Sequence, residues 1–397
     1  MKKNTSALDI EDNDKFSTLK LLEKDAKDKE IFLVGEYHYI KDNANVQLKL
    51  LKYFKQKTNF KYLLWETSYL EGKRCNEYLN TGNEKLLGIV SKEELEFWKK
   101  LYEYNKTLKE EDKIQVVGAD VGDIGNNLNY LIEILSSKNL SVDMKNHLTL
   151  LKEYKSYIES IPDLEDTSAN MQMYVDTYLN QVKEKFKTLY TSIEKEKSSY
   201  EDLLKGDYFE FNYLLNDVKG RIEMQEEAMS NYAKSKDFAD VLRSRDLKIA
   251  ENFNLLYEKL PKGKYFSKYG SPHIYQKEIL SAEGVKTNNF AAQLNKEGSP
   301  LKGKILTIAT FYDNCFTSIS GNSAPLSSYK SNKVMDEVIK SNHTLIKLNN
   351  DNSPYSKELK WDFVKEPYGI AEGGVTTDYF QYIIIIKNSE SDVMINE

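Results

Sequence analysis

The sequence predicts an α/β fold, with a mainly parallel central sheet flanked by helices and a large helical insertion covering the rim at the strand C-termini. Three observations predict it. Ile31–His38 reads IFLVGEYH, a short apolar run that reaches Gly35 and then presents Glu36 and His38. A helical pattern and a second apolar run, Tyr62 to Trp65, follow it. Strand, helix and strand within about 35 residues form a βαβ unit, which makes the two strands parallel. Residues 125–258, in contrast, carry almost no Gly or Pro and read as helix throughout. The expected organisation is a first half of the core over 1–124, a helical insertion or lid over 125–240, and a second half of the core over 241–397.

Residues 1–28 are polar, with an amphipathic patch at Leu19, Leu21 and Leu22 that predicts a short helix on the domain edge. In the first strand Ile31, Phe32 and Val34 are β-branched or aromatic, as a pleated surface prefers. Gly35 is expected to turn the chain. Asp42 or Asn43 can then cap a helix whose apolar positions are Val46, Leu50, Leu51, Tyr53 and Phe54. The second strand ends on Glu66. Ser91 with Glu94 has the capping-box pattern, and Leu95, Trp98, Leu101 and Tyr102 form the stripe of the helix after it. Ile114–Asp120, IQVVGAD, repeats the opening design: buried strand, glycine, carboxylate. In the helical block, Met171, Tyr174, Tyr178, Val182, Phe186, Leu189 and Ile193 recur every three or four residues, and Pro162 with the acidic run after it separates two helices. Further strands are expected at Lys264–Tyr269, Ile305–Phe311 and Tyr379–Lys387. Two short helices are expected near Ala291–Asn295 and Ser331–Lys340, and an exposed loop at Asn349–Ser356.

Bulk properties narrow the function. The net charge of −6 comes from 56 basic and 62 acidic residues spread along 397 positions, with no basic stripe, so nucleic acid is not an expected partner. The N-terminal MKKNTSALDIEDNDKF lacks the apolar stretch of a signal peptide, and no run approaches the ~18 apolar residues of a membrane span. Two cysteines make no disulfide framework, so a reducing, cytoplasmic location is expected. GxSxG, GxxxxGK[ST], HExxH and CxxC are all absent.

What remains is a repeated local pattern. Apolar runs end, often through Gly, on an ionisable residue: Glu36 with His38, Glu66, Asp120 and His273. In a parallel sheet ligands bind beyond the strands' carboxyl ends, so these side chains would meet at one rim. Carboxylates beside imidazoles suit general acid–base work, because negative charge raises a histidine pKa toward the working pH. Glu36, His38, Glu66 and His273 could instead ligate a divalent metal such as Mn, Fe or Zn. Of the four histidines, His147 and His343 read as structural or solvated. Arg243–Asn252, RSRDLKIAEN, opens a helix with the apolar face Leu247, Ile249, Ala250, Phe253 and Leu256. There Arg245 could pair with a rim carboxylate or hold a substrate oxygen, while Asp246 favours the helix dipole. Asp123 reads as a helix cap.

At these residues the chain resembles the erythromycin esterase-like superfamily, which includes ChaN-like and TraB/TIKI-type proteins. The resemblance lies in Gly35-Glu36 with His38, Glu66 in LLWETS, Gly118 with Asp120, and Arg245-Asp246 followed by Ala250 and Asn252. It continues through YFSKYGSPHI with His273 and the final strand from Asp378 to Ile386. One residue, Tyr37, separates Glu36 from His38, a spacing nearer the ChaN-like and TIKI-type pattern.

The resemblance implies a hydrolase of an ester or amide in a small molecule or peptide natural product, with no cofactor required. His38 would be the general base, Glu36 and Glu66 would orient it, and His273 would stabilise the oxyanion or protonate the leaving group with Arg245 nearby. Asp120, Tyr37 and Tyr39 would contact substrate. Two alternatives follow from the same resemblance. One is ChaN-like binding of haem or iron without turnover, with Tyr37 and Tyr39 flanking His38. The other is a tailoring enzyme for a peptide or natural product. The sequence sets no oligomeric state.

Overall fold

The computed structural model describes residues 2–162, 175–235, 239–280, 286–319, 321–339, 341–365 and 370–395. The chain divides into two compact units: 1–66, 71–118 and 260–397 form one, and 67–70 with 119–259 form the other.

The first unit is built on an eight-stranded sheet. Its strands are β1 (Thr5–Ala7), β2 (Ile31–Glu36), β3 (Tyr62–Ser68), β4 (Gln115–Asp120) and β5 (Tyr265–Gly270), then β8 (Ile305–Asp313), β11 (His343–Lys347) and β13 (Tyr382–Lys387). Two-residue strands β6 (Ile279–Leu280), β7 (Lys286–Thr287) and β12 (Ile370–Ala371) make a small separate sheet, and β9 (Cys315–Ile319) pairs with β10 (Asn322–Leu326) as a hairpin. The order across the large sheet is β1-β11-β13-β8-β2-β5-β3-β4. β5 lies between β2 and β3 and is parallel to both, so the first βαβ unit has its strands parallel with one strand inserted between them. β8 and β13 extend the parallel run, and β11 and β1 add an antiparallel edge.

β2 is buried along its whole length because neighbours pair with it on both sides, which explains why it reads as a continuous apolar run. Gly35 does not turn the chain but lies inside β2. A Cβ there would come within 2.5 Å of Ile274 Cγ1, so the glycine makes room for the segment that follows β5. The connecting helix carries no side-chain cap of its own. Helix α1 spans Glu23–Ala26, and α2 spans Asp42–Thr58 with Lys41 at its N-cap position. Val46, Leu50, Leu51, Tyr53 and Phe54 of α2 are all buried, and Phe54 stacks on Phe32 at 4.3 Å. After α3 (Tyr69–Thr81), Ser91 caps α4 (Lys92–Thr107) as its spacing predicts, accepting a hydrogen bond from the Glu94 N–H. Phe97 joins Trp98 and Leu101 on the buried face of α4.

The second unit is helical over its described length after β4: α5 (Ile124–Ser136), α6 (Val142–Glu159), α7 (Asn180–Lys195), α8 (Lys197–Leu204), α9 (Tyr208–Ser235) and α10 (Ala239–Lys259). Val182, Phe186, Leu189 and Ile193 form the buried stripe of α7. Met171 and Tyr174, expected on the same stripe, lie outside the described residues. Asp123 caps α5 through the Asn126 N–H.

Several boundaries differ from the expected ones. α10 begins at Ala239, since nothing between Ala239 and Ser244 breaks a helix, so Arg245 and Asp246 lie in its second turn rather than at its start. Leu247 faces outward at 39% exposure, while Ile249, Ala250, Phe253 and Leu256 are buried. Asn349–Ser356 is not wholly exposed: Pro354–Ser356 closes a 3₁₀ turn and Tyr355 is buried edge-on to Phe363. The last strand starts at Tyr382 because Thr376–Asp378 form a 3₁₀ turn before it. The remaining helices are α11 (Phe290–Asn295) and α12 (Lys333–Asp336). Among the described residues no helix is long and apolar enough to cross a membrane.

Candidate active site

Glu36 ends β2, His38 follows two residues later, Glu66 lies near the end of β3, and His273 sits in the 3₁₀ turn Ser271–Ile274 directly after β5. Because these strands are parallel and adjacent, their carboxyl ends deliver all four side chains to one edge of the first unit.

The four are linked in series. His38 Nδ1 is 3.1 Å from Glu36 Oε1, and its Nε2 is 3.7 Å from Glu66 Oε2. The other oxygen of Glu66, Oε1, is 3.3 Å from His273 Nε2, and Oε2 accepts the Gly270 N–H at 2.6 Å. Gly270 has no side chain where one would intrude. A Cβ at that position would stand 3.1 Å from His38 Nε2 and 3.5 Å from Glu66 Oε2.

Glu36 is held on every side. Its side chain is 3% exposed. Gln47 of α2 donates to Oε2, and the Lys268 ammonium lies 2.8 Å from Oε1. Burial pushes the Glu36 pKa up, but the Lys268 charge and the His38 hydrogen bond outweigh it and leave it below the ordinary value of 4.5. An ionised carboxylate only accepts, so the neutral His38 ring must carry its proton on Nδ1. Burial likewise pulls the His38 pKa down, while the Glu36 hydrogen bond and the charges of Glu66 and Glu36 push it up; the net shift is above 6.5. The Lys268 ammonium also sits 4.4 Å from the Trp65 ring centroid, a cation–π contact. Burial opposes its charge, but Glu36 and Glu94 keep its pKa above that of an ordinary lysine.

These groups border a cavity of about 220 Å³ whose walls include Glu36, His38, Glu66, Lys268, Glu94 and Asp392. The His38 side chain is 44% exposed, so the imidazole is the accessible member of a set whose other charges are recessed. Tyr39 also lines the cavity, from a left-handed backbone conformation with φ of 61°. Tyr37 does not line it. Its ring packs edge-on against Tyr312, and burial pushes its phenol up to about 12. His273 is 2% exposed, with its ring against Tyr269 and its Nε2 on Glu66.

Arg245 and Asp120 come together in the second unit. Arg245 Nε donates to Asp120 Oδ1 at 3.1 Å, and its Nη2 bonds Oδ2, a two-pronged pair. Beside them Asp217 accepts from the Gly122 N–H, Asn127 and Asn252, so Asn252 serves a buried carboxylate. His147 bonds the Tyr200 hydroxyl and His343 pairs with Asp42.

As for a metal, among the described residues no three or more His, Cys, Asp or Glu side chains gather in an arrangement that would hold one. The carboxylate and imidazole groups face one another in pairs, and the ammonium of Lys268 already balances Glu36.

Lys268, Gln47, Gly270 and Asp392 were not signalled as site residues by the sequence. The signal for Lys268 is visible in retrospect: a lysine at an inner position of KYFSKY, in a strand whose other residues are buried, needs a buried anion.

Three solved structures share this fold over nearly the whole chain. An erythromycin esterase mutant in its open conformation is 12% identical and matches with a TM-score of 0.77, covering 99% of each chain. A Bacillus cereus protein is 19% identical, with a TM-score of 0.71 over 100% of this chain and 97% of its own. A succinoglycan biosynthesis protein is 16% identical, with a TM-score of 0.71 over 99% of this chain and 96% of its own. No curated protein matches the sequence. The family model described as "Erythromycin esterase" matches residues 56–268. With over half its length matched by that model and its fold shared with an erythromycin esterase, the chain belongs to the erythromycin esterase family.

Proposed function

We propose that the protein is a hydrolase that cleaves an ester or amide bond in a small molecule or peptide, with His38 as general base. The observation that carries this reading is the placement of His38: an accessible imidazole that lines the cavity, hydrogen-bonded through Nδ1 to a buried ionised carboxylate, with Nε2 3.7 Å from Glu66 Oε2. That arrangement leaves Nε2 as the basic nitrogen.

In the proposed reaction a water in the cavity donates a proton to His38 Nε2 as its oxygen bonds the substrate carbonyl carbon. The carbonyl π pair moves to oxygen. When the pair returns, the bond to the leaving oxygen or nitrogen breaks, and the imidazolium returns the proton to that leaving atom. Water is consumed, and an acid plus an alcohol or amine leave. Glu36 and Glu66 orient the ring and balance its transient charge. His273, being recessed, fixes Glu66. Lys268 keeps Glu36 ionised. A base in this position contributes about 10²- to 10⁴-fold to rate.

The test is mass spectrometry of a panel of esters, lactones and amides incubated with the protein. A ring-opened product heavier than its cyclic precursor by one water, or the paired acid and alcohol or amine fragments, supports hydrolysis. A panel left intact at high protein concentration opposes it.

A further inference from the structure

Rotamer freedom alone would let the loop between β2 and α2 carry His38 away from Glu36, yet this loop is tied down by the far end of the chain. Beyond β13, residues 389–395 run back along it. Lys41 N–H donates to the Glu390 carbonyl at 3.0 Å, Asp392 N–H donates to the Tyr39 carbonyl at 2.9 Å, and Ile40 and Ser391 form an antiparallel bridge. The Asp42 N–H, the first orphan donor of α2, finds Ser389 Oγ at 3.2 Å, which supplies the cap α2 lacks. Tyr39, the residue after His38, stands at φ 61°, a conformation that costs a bulky side chain about 1 kcal/mol or more and persists only where surrounding bonds impose it.

The tail is in turn anchored at its other edge. Ser91 Oγ donates to Asp392 Oδ2 at 2.8 Å while accepting the Glu94 N–H that caps α4. Lys92 N–H meets the Val393 carbonyl at 2.9 Å, and Ser91 bridges Met394. Among the described tail residues, Asp392 is thus the one whose backbone holds the His38 loop and whose side chain holds the N-cap of α4. Its carboxylate borders the cavity, which Glu94 of α4 also lines, and it feels the charges of Glu93 of α4, Glu36 of β2 and Lys268 of β5. Ser91 supplies its anchoring hydrogen bond, and Oδ1 is buried with no hydrogen-bond partner among the described residues.

We infer that Asp392 is a positioning residue for His38: its side-chain anchor on Ser91 keeps the tail clamped on the loop, and the clamp holds Tyr39 left-handed and His38 Nδ1 on Glu36. The inference rests on the reading of His38 as the working base, but its test does not require turnover.

The test is ¹⁵N NMR of the full-length protein labelled at histidine, read at a pH where the rings are neutral, with the His38 signals identified by their loss in His38→Gln. In the wild type His38 shows the Nδ1–H tautomer. Asp392→Ala is expected to convert it to the Nε2–H form usual for free imidazole, while His147 and His343 stay unchanged. Asp392→Asn, which can still accept from Ser91, is expected to keep Nδ1–H. Tyr39→Gly placed in the Asp392→Ala protein is expected to restore it, since glycine adopts positive φ without a clamp. Should Asp392→Ala fail to fold, Ser91→Gly removes the anchor from the other side at little cost in capping and must give the same conversion. An Nδ1–H signal that persists in folded Asp392→Ala or Ser91→Gly overturns the inference. So does a conversion in Asp392→Asn as complete as in Asp392→Ala, which would assign the effect to charge. Loss of the tautomer without any measurable hydrolysis in the wild type would leave the clamp standing and remove only the hydrolase reading.

Discussion

The Lys268 ammonium lies 2.8 Å from Glu36 Oε1, and Lys268 is an inner residue of the strand that pairs directly with the one carrying Glu36. Register makes this contact: Lys268 stands opposite Val34 of β2 and Trp65 of β3, and its stem reaches past both toward the strand ends. A carboxylate this deeply buried stays charged only beside such a partner.

Lys268→Met is therefore expected to strand the Glu36 charge and destabilise the protein by about 3 kcal/mol, the cost of breaking a buried pair from one side. The double variant Lys268→Met with Glu36→Gln should recover part of that loss, because no uncompensated charge remains. Urea denaturation of the two variants checks both statements. A Lys268→Met protein as stable as the wild type would contradict this account of the pair.

Gly270→Ala places a methyl group 3.1 Å from His38 Nε2, tighter than ordinary van der Waals contact, while the backbone N–H to Glu66 survives. The imidazole must move by a few tenths of an ångström. Hydrolysis should fall about tenfold with little change in melting temperature, because small displacements of a reacting group cost rate far more than stability. Parallel measurement of kcat/KM and thermal unfolding separates the two effects.

The pH dependence follows from the signs of the shifts. As a base His38 works unprotonated, and its pKa is raised above 6.5, so the acid limb of kcat/KM should have its midpoint above 6.5. Glu36→Gln removes the main hydrogen bond that raises it, and the midpoint should move down. In stability the same His38 shift contributes most below pH 6.5 and is lost as pH rises through the folded-state value. Glu36, with its pKa below 4.5, contributes above 4.5 and is lost as pH falls through its folded-state value. An acid limb centred below 6.5 in the wild type would count against the base assignment.

Much of this site is legible in the chain because parallel strands put their C-terminal residues together whatever their separation in sequence. Glu36, His38, Glu66 and His273 could be grouped on that ground alone, and the sheet order places β5 between β2 and β3. What escaped reading depends on depth and register. His273 and His38 follow strands in the same way, yet one is 2% exposed and the other borders the cavity, a difference set by the 3₁₀ turn after β5. Lys268 shows no local motif; its importance appears only once the pairing with Val34 and Trp65 is known. Gly35 read as a turn because glycine often is one, but here it is a strand position that leaves space for Ile274. Asp392 sits in a polar tail with no periodicity, and its contacts to Tyr39 and Ser91 span most of the chain. Arg245 has a partner of its own in Asp120, as one of its two sequence readings allows.

The most direct measurement is the rate of hydrolysis by His38→Gln of whichever ester or amide the wild type turns over, with fold integrity checked by thermal unfolding. Loss of about 10²-fold or more in kcat/KM, in a protein that unfolds cooperatively near the wild-type temperature, is the predicted result. A His38→Gln protein that is folded and hydrolyses at the wild-type rate would contradict the assignment of His38 as the base.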